Sequence, residues 1–155
     1  MSTRCQIGFY KTKYEPITEW SALIYRHSDG YPDGVLPDIQ PFLEKWAKGR
    51  GLADVEYISA RLLQYLCNEY DCDMRVHEEK NKKEWEAQGK EYPEHCRFSG
   101  KLGHGICKDF HGDIEYFYRI HPDVIEVYEV GDIWDKFDSN EFKIIQTIEL
   151  KKESE

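Results

Sequence analysis

Arginine, histidine and aspartate side chains are concentrated in one turn of this sequence, the stretch YRHSDGYPDG. Arg26 and His27 end an apolar run of strand length, and Asp29 and Gly30 follow in the turn itself. An arginine offers a planar fork of donors to a carboxylate or phosphate, and a histidine titrates near neutral pH. The pattern predicts a site for a compact anionic ligand. If the site is catalytic, His27 is the candidate general base and Asp29 its orienting carboxylate.

The same turn has a structural interpretation, in which its two Asp-Gly pairs only reverse the chain. Arg26 would then pair with a nearby acidic side chain. Neighbouring strand residues point to opposite faces of a sheet, so Arg26 and His27 reach one ligand only where the strand is distorted. The helix expected after the turn would add unpaired N–H groups that attract an anion, and Tyr31 could pack against that anion. Both interpretations stay open at this point.

A second candidate is the stretch GHGICKDFHGD, which holds two histidines, two aspartates and one cysteine. These residues are His104, Cys107, Asp109, His111 and Asp113. Such a set could supply a general base with its carboxylate, or ligands for a metal ion. The structural alternative is a glycine-flanked strand followed by a polar turn, and this is the commoner role of such residues.

A zinc site would need the cysteines of the chain together with the His-Cys pair that follows Glu94. The available ligands are Cys67, Cys72, His95, Cys96 and Cys107. They contain no Cys-x-x-Cys pair and match known zinc spacings poorly, so no metal and no other cofactor is predicted. An odd number of cysteines without a secretory signal is typical of reduced thiols.

The composition indicates one globular domain. Of the 155 residues, 40% are hydrophobic and 14% aromatic, which is enough for one core and argues against disorder. No run approaches the roughly 20 apolar residues of a membrane span, and the start of the chain has no signal-peptide pattern. A cytoplasmic location without a membrane partner is therefore predicted. The net charge of −9, concentrated in the last third, argues against a nucleic-acid polymer as partner.

Six runs of strand length and two helical patterns organise the chain. The strand runs are TRCQIGFYK, WSALIYRH, GHGICKDF, DIEYFYRI, VIEVYEV and FKIIQTIEL. Helical spacing begins at Val35, and because Pro41 fits poorly inside a helix, either the first turn is irregular or the helix starts at Pro41. A second helix is predicted from about Asp54, its N-cap, to Tyr70. Because both helices fall after the second strand, the pattern predicts an α+β domain. Its sheet should be largely antiparallel, with the two helices packed on one face.

The predicted single domain spans residues 1–150 and is followed by a solvated tail at 151–155. A charged excursion, nearly free of aliphatic residues, interrupts it at about 73–102. Within the excursion, Glu78 to Gln88 could form a surface helix with Glu–Lys pairs, anchored by Trp85.

Three blocks of the sequence, MSTRCQIGFY, YRHSDGYPDGVLPDIQPFL and GDIEYFYRI, resemble a group of small uncharacterised phage and prokaryotic proteins. The shared pattern is an opening Ser/Ala-Thr-Arg strand, a His-x-Asp-Gly-Tyr-Pro turn and a late Asp-Ile-Glu-Tyr strand. The resemblance implies a standalone, phage-related domain and carries no activity. It draws attention to Arg4, His27, Asp29, Gly30 and Tyr31. If the three blocks are neighbouring strands, Arg4, His27 and Asp29 would meet near the start of the first helix.

These observations predict a small binding module rather than a defined enzyme. The leading hypothesis is a compact, nucleotide-like anion, or a protein partner such as a host protein, bound at the turn from Arg26 to Gly34. One alternative is a small hydrolase that uses His27 and Asp29, with Arg4 stabilising the developing charge. The other is a structural or homo-oligomeric protein that pairs through a strand edge.

Overall fold

Six β-strands and two α-helices make up the residues that the computed structural model describes, which are 3–46, 54–94 and 103–151. In chain order they are β1 (Cys5–Phe9), β2 (Ala22–Arg26), α1 (Pro32–Trp46), α2 (Val55–Ala87), β3 (His104–Ile106), β4 (Tyr116–His121), β5 (Val124–Val130) and β6 (Phe142–Glu149). A short 3-10 helix, Ser139–Glu141, precedes β6. The predicted α+β class is confirmed.

The strands form one sheet in the order β3-β2-β1-β4-β5-β6. Strands β1 and β4 run parallel, and every other neighbouring pair is antiparallel. Strands β4 and β5 form a hairpin, because β4 ends at His121 and β5 begins at Val124. The sheet is therefore largely antiparallel, as the sequence indicated, with β1 and β4 at its centre.

Both helices pack on one face of the sheet. Alternate residues of the central strands point towards them, since side chains along a strand alternate between the two faces. The buried residues of this core are Cys5, Ile7, Phe9, Ile24, Val35, Ile39, Leu43, Val55, Ile58, Leu62, Leu66, Tyr118, Ile120, Ile125, Val127 and Leu150. The helical face of the fold is thus a continuous apolar layer, as the periodicity predicted.

Loops cover the opposite face of the sheet and form a second core rich in aromatic rings. Its buried residues are Tyr10, Leu23, Ile114, Phe117, Val130, Ile133 and Phe142. Phe117 is fully buried although its neighbours on β4 face the helices, so this central strand is buried on both faces. Neither face of such a strand is solvated, so its residues do not alternate between an apolar face and a solvent-exposed face.

Helix α1 begins at Pro32, earlier than either of the predicted starts at Val35 and Pro41. Pro32 suits the first helical position, where the missing N–H would have no partner in any case. Pro37 and Pro41 lie inside the helix, and each removes one backbone hydrogen bond. Burial of the apolar stripe of α1 against the sheet offsets this loss.

Helix α2 is one continuous helix of 33 residues. The predicted end near Tyr70 is therefore wrong, and the separate surface helix expected from Glu78 is the far part of the same element. Asp54 precedes the helix, but its side chain makes no capping hydrogen bond. Apolar burial is confined to the first half, at Val55, Ile58, Leu62 and Leu66.

Local contacts support the charged second half of α2. Glu78 and Lys82 form the expected ion pair at 3.3 Å, one turn apart. Trp85 packs edge-on against Tyr92, with ring centroids 6.2 Å apart. Residues 95–102 of the predicted excursion, and 152–155 of the predicted tail, lie outside the described residues. Within the described part of the chain, no helix combines the length and apolar character needed to cross a membrane.

The turn between β2 and α1 packs directly on the start of β1. The Gly30 N–H donates to the Thr3 carbonyl at 2.9 Å, and the Gly30 carbonyl accepts from the Tyr118 hydroxyl at 2.7 Å. A Cβ at position 30 would lie 2.9 Å from the carbonyl carbon of Arg4 and from the backbone nitrogen of Cys5. Only glycine allows the backbone of the turn to approach the strand this closely.

We expect Gly30→Ala to lower the free energy of unfolding by about 1–3 kcal/mol, because the added methyl group forces the turn away from β1. Urea denaturation of the two proteins measures this difference. Gly105→Ala in β3 is the matched control, since a Cβ there meets no described atom within 4 Å. Equal losses in the two variants would contradict the close packing.

Candidate functional site

Arg26 is 8% exposed and holds the turn against the start of α1. Its Nε donates to the Ser28 carbonyl at 2.9 Å, and its Nη2 to the Gly34 carbonyl at 3.4 Å. Its Nη1 donates to the Asp38 carboxylate at 2.8 Å. Asp29 adopts the left-handed conformation, with a φ of 55°, and so completes the reversal of the chain. All three donor nitrogens of Arg26 are thus engaged within the turn and the helix that follows.

A pocket of about 140 Å³ opens beside this turn, between the end of β2, strand β3 and the two helices. We call it the helix-side pocket. Its lining residues are Arg26, Ser28, Asp29, Asp38, Leu66, Glu69, Tyr70, Asp73, Met74 and His104. The pocket combines charged side chains from three elements with an apolar floor on α2.

His104 enters the pocket because β3 pairs with β2, which places His104 opposite Arg26. Burial, and then the positive charge of Arg26, lower the pKa of His104 to about 4. The imidazole is therefore neutral at physiological pH. Its ring packs edge-on against Tyr70, at 6.2 Å between centroids, and neither ring nitrogen has a hydrogen-bond partner among the described residues.

The charge of the helix-side pocket is predominantly negative. Asp38 is paired with Arg26. Asp29, Glu69 and Asp73 have no ion-pair partner in the described parts of the chain. Glu69 and Asp73 are four residues apart on α2, where like charges destabilise a helix. Since the neutral His104 adds no compensating charge, the pocket presents an excess of carboxylates.

A second polar cluster lies on the opposite face of the sheet, where β1 and β4 begin and β2 ends. We call it the strand-end cluster, and it consists of Arg4, Tyr25, His27, His111 and Asp113. The Tyr25 hydroxyl donates to Asp113 Oδ2 at 2.8 Å, and Arg4 Nε lies 3.3 Å from the same oxygen. The Tyr25 ring lies 4.6 Å from the His111 ring and 6.5 Å from the His27 ring, between centroids. Burial and the hydrogen bond to Asp113 raise the pKa of Tyr25, which keeps its hydroxyl a donor.

Strand register assembles this cluster. Cys5 of β1 pairs with Arg26 of β2, so Arg4 and His27 are the next residues along the two antiparallel strands. On the other side of β1, the Glu115 N–H donates to the Arg4 carbonyl at 2.9 Å. The three sequence blocks that carry the resemblance therefore lie on neighbouring strands of one sheet.

Gln6 fixes the loop that carries His111. The Gln6 side chain is fully buried; its Oε1 accepts from the His111 N–H at 2.9 Å and its Nε2 donates to the Asp109 carbonyl at 3.1 Å.

Burial raises the pKa of the neighbouring Cys107 thiol, which therefore stays protonated. A protonated thiol is a poor nucleophile, so Cys107 is better suited to packing than to covalent chemistry.

The predicted ligand residues are divided between the two faces of the sheet. Arg26 and Asp29 line the helix-side pocket, whereas Arg4 and His27 belong to the strand-end cluster. No hydrogen bond or ion pair joins His27 to Asp29 in the described part of the chain. The hypothetical pair of general base and orienting carboxylate is therefore not assembled. The physical reason is the alternation of side chains along an extended chain: Arg26, the last residue of β2, points to the helices, and His27, which follows it, lies beside Tyr25 on the other face.

Gly30 and Tyr31, the two remaining predicted ligand residues, have structural contacts. Gly30 is buried against β1. The Tyr31 hydroxyl donates to Asp29 at 3.4 Å, while 42% of the residue is exposed. Neither residue lines the helix-side pocket.

The candidate residues of the stretch GHGICKDFHGD are also divided between the two faces of the sheet. His104 lines the helix-side pocket, while His111 and Asp113 belong to the strand-end cluster. The Asp109 carboxylate accepts from the adjacent Phe110 N–H at 2.7 Å, a turn contact.

The soft ligands considered for zinc do not converge in the described residues. The cysteines among them, Cys67, Cys72 and Cys107, are free. No group of three or more metal-ligating side chains is arranged to hold an ion in residues 3–46, 54–94 and 103–151. His95 and Cys96 lie outside those ranges.

Sequence reasoning missed several residues of the helix-side pocket, among them a polar group on α2. Glu69, Tyr70 and Asp73 follow Leu66 by three, four and seven residues, and therefore share its side of α2. This spacing is the signal that could have identified them as one polar face. It could not have shown that the face lies beside the turn after β2, because that proximity depends on tertiary packing.

Comparison with protein-family models, with curated proteins and with solved structures finds no match to this chain. The resemblance to a phage and prokaryotic group stays a prediction. Function must therefore be argued from the two sites themselves.

We expect the stability of this protein to fall as the pH drops from about 6.5 to about 4, in part because of His104. The unfolded chain binds a proton at His104 near pH 6.5. The folded protein does so only near pH 4. This contribution is fully present above pH 6.5 and is lost towards pH 4. Urea denaturation at several pH values should show a shallower decline for His104→Gln. Parallel declines in the two proteins would contradict a buried neutral His104.

Proposed function

We propose that this protein is a small binding domain whose ligand is a compact organic cation, held in the helix-side pocket. The observation that carries the proposal is an excess of carboxylates around a pocket whose own imidazole is neutral. Concave sites with a few charged groups beside an apolar surface are the usual form of small-molecule sites. The class of function is the binding module that the sequence predicted, whereas the proposed charge of the ligand is the opposite.

Electrostatics supports a cation in this pocket. Asp29, Glu69 and Asp73 line the same pocket and carry like charges, which repel one another. No described cation pairs with these three carboxylates, so the repulsion is not compensated. A bound ammonium or guanidinium group would relieve this repulsion. Pairs at the rim of a pocket contribute about 0.2–1 kcal/mol each, so several must act together and a modest affinity is expected.

The shape of the pocket supports a ligand of a few carbon atoms. Leu66 and Met74 provide an apolar surface for the aliphatic part of such a ligand. The volume of about 140 Å³ is close to the roughly 150 Å³ of an engineered cavity that holds benzene. Short aliphatic amines such as putrescine and agmatine have the required size and charge.

The helix-side pocket is less suitable for the anion that the sequence predicted at this turn. The anion would have to pass the rim carboxylates to reach Arg26, whose nitrogens are engaged by Ser28, Gly34 and Asp38. A protein partner at the turn remains compatible with the proposal, because a partner's lysine or arginine side chain carries the same chemistry. The predicted cytoplasmic setting and phage-related origin are further parts of the proposal.

Calorimetric titration with putrescine and agmatine tests the proposed function. We expect both amines to bind, and the uncharged 1,4-butanediol not to bind. Glu69→Gln and Asp73→Asn should each weaken amine binding about two- to fivefold, the effect of one exposed charge pair. Glu84→Gln removes one exposed carboxylate from the same helix, away from the pocket, and should leave the affinity unchanged.

Two results would contradict an organic cation in the helix-side pocket. One is equal binding of the amines by wild type, Glu69→Gln and Asp73→Asn. The other is binding of inorganic phosphate that is lost in Arg26→Gln, which would support the anion predicted for this turn instead.

A further inference from the structure

Arg4 of the strand-end cluster has one edge of its guanidinium group fixed by the protein. Its Nε is buried, makes no hydrogen bond among the described residues and forms an ion pair with Asp113 Oδ2 at 3.3 Å, while 37% of the side chain is exposed. Its terminal nitrogens, Nη1 and Nη2, have no hydrogen-bond partner among the described residues. An arginine whose terminal nitrogens are unpaired can present two donors to the oxygens of one anion.

Two imidazole rings lie next to the Tyr25 ring, whose hydroxyl shares Asp113 Oδ2 with this guanidinium group. His27 follows β2, directly across from Arg4 in the strand register. His111 is exposed and lies on the Tyr25 ring, with an interplanar angle of 32°. An imidazole has at least one N–H to donate. Tyr25 lies against both rings, and Asp113 and Arg4 lie next to the Tyr25 hydroxyl.

We infer that the strand-end cluster is a second ligand site, which binds a phosphate group. The terminal nitrogens of Arg4 would hold two phosphate oxygens, and His27 and His111 would each donate to an oxygen. Asp113 would be a positioning residue, because it orients Arg4 and accepts from Tyr25 without reaching the ligand. The exposed ring of His111 offers a planar surface on which the base of a nucleotide could stack.

This site differs from the helix-side pocket in its charge and in the face of the sheet on which it lies. It lies on the loop-covered side of the sheet, and it contains one carboxylate beside one arginine and two histidines. It therefore suits the compact anion that the sequence predicted, with Arg4 in place of the buried Arg26. The inferred phosphate site does not depend on whether an organic cation binds in the helix-side pocket.

Titration calorimetry at constant ionic strength tests the site with inorganic phosphate and with AMP. We expect wild type to bind one equivalent of phosphate, and Arg4→Gln to bind it about tenfold more weakly, the effect of losing one bidentate contact. Lys143→Gln, an exposed basic residue on β6, is the control for net charge and should bind as wild type does.

Asp113→Asn separates ligand binding from a purely structural role. The amide oxygen can still accept from Tyr25, but the negative charge that pairs with Arg4 next to the ligand is gone. We expect phosphate to bind about three- to tenfold more tightly to this variant, because one repulsive charge near the anion has been removed. If Arg4 and Asp113 serve only the fold, both variants would change affinity and stability in the same direction.

The two probes distinguish the source of the phosphate group. Tighter binding of AMP than of phosphate, lost in His111→Ala, would assign the site to a nucleotide. Equal affinities would assign it to free phosphate, and either result supports the inference. Absence of binding by both probes, or binding that survives Arg4→Gln unchanged, would overturn it.

Discussion

The contact between Gly30 and the start of β1 is the constraint on which both sites depend. Gly30 donates to Thr3 and accepts from Tyr118, and its missing side chain lets the turn lie against the strand. This contact holds the turn that joins β2, which ends at Arg26, to α1, which begins at Pro32. Because side chains alternate along an extended chain, Arg26 faces the helices and His27 faces the loops.

The separation of these two side chains organises the polar residues of the molecule. On the helical face, the donor nitrogens of Arg26 are engaged within the turn and α1. The carboxylates that line the pocket with it outnumber the cations. On the loop-covered face, Arg4 and His27 come together beside Asp113, since β1 lies between β2 and β4. One end of the sheet thus carries two clusters of different charge on its opposite faces, and we propose a different kind of small molecule for each.

Much of this fold could be predicted from the sequence because apolar residues recur with the periods of strands and helices. The limits of the helices were harder to predict, since Pro37 and Pro41 are unfavourable inside a helix and are tolerated only because the packed core compensates. The turn after β2 was recognisable as a candidate site from its residue types. Its division between two faces, and the contribution of Glu69 and Asp73, depend on contacts between distant segments that no local pattern records.

Nuclear magnetic resonance titrations of the backbone amides test the central claim most directly, with putrescine and inorganic phosphate added separately. The account predicts that putrescine shifts resonances around Tyr70, Asp73 and His104, while phosphate shifts those around His27 and His111. Each ligand should leave the other set unchanged. If both ligands perturb the same residues, the sheet does not separate two sites and the account is contradicted.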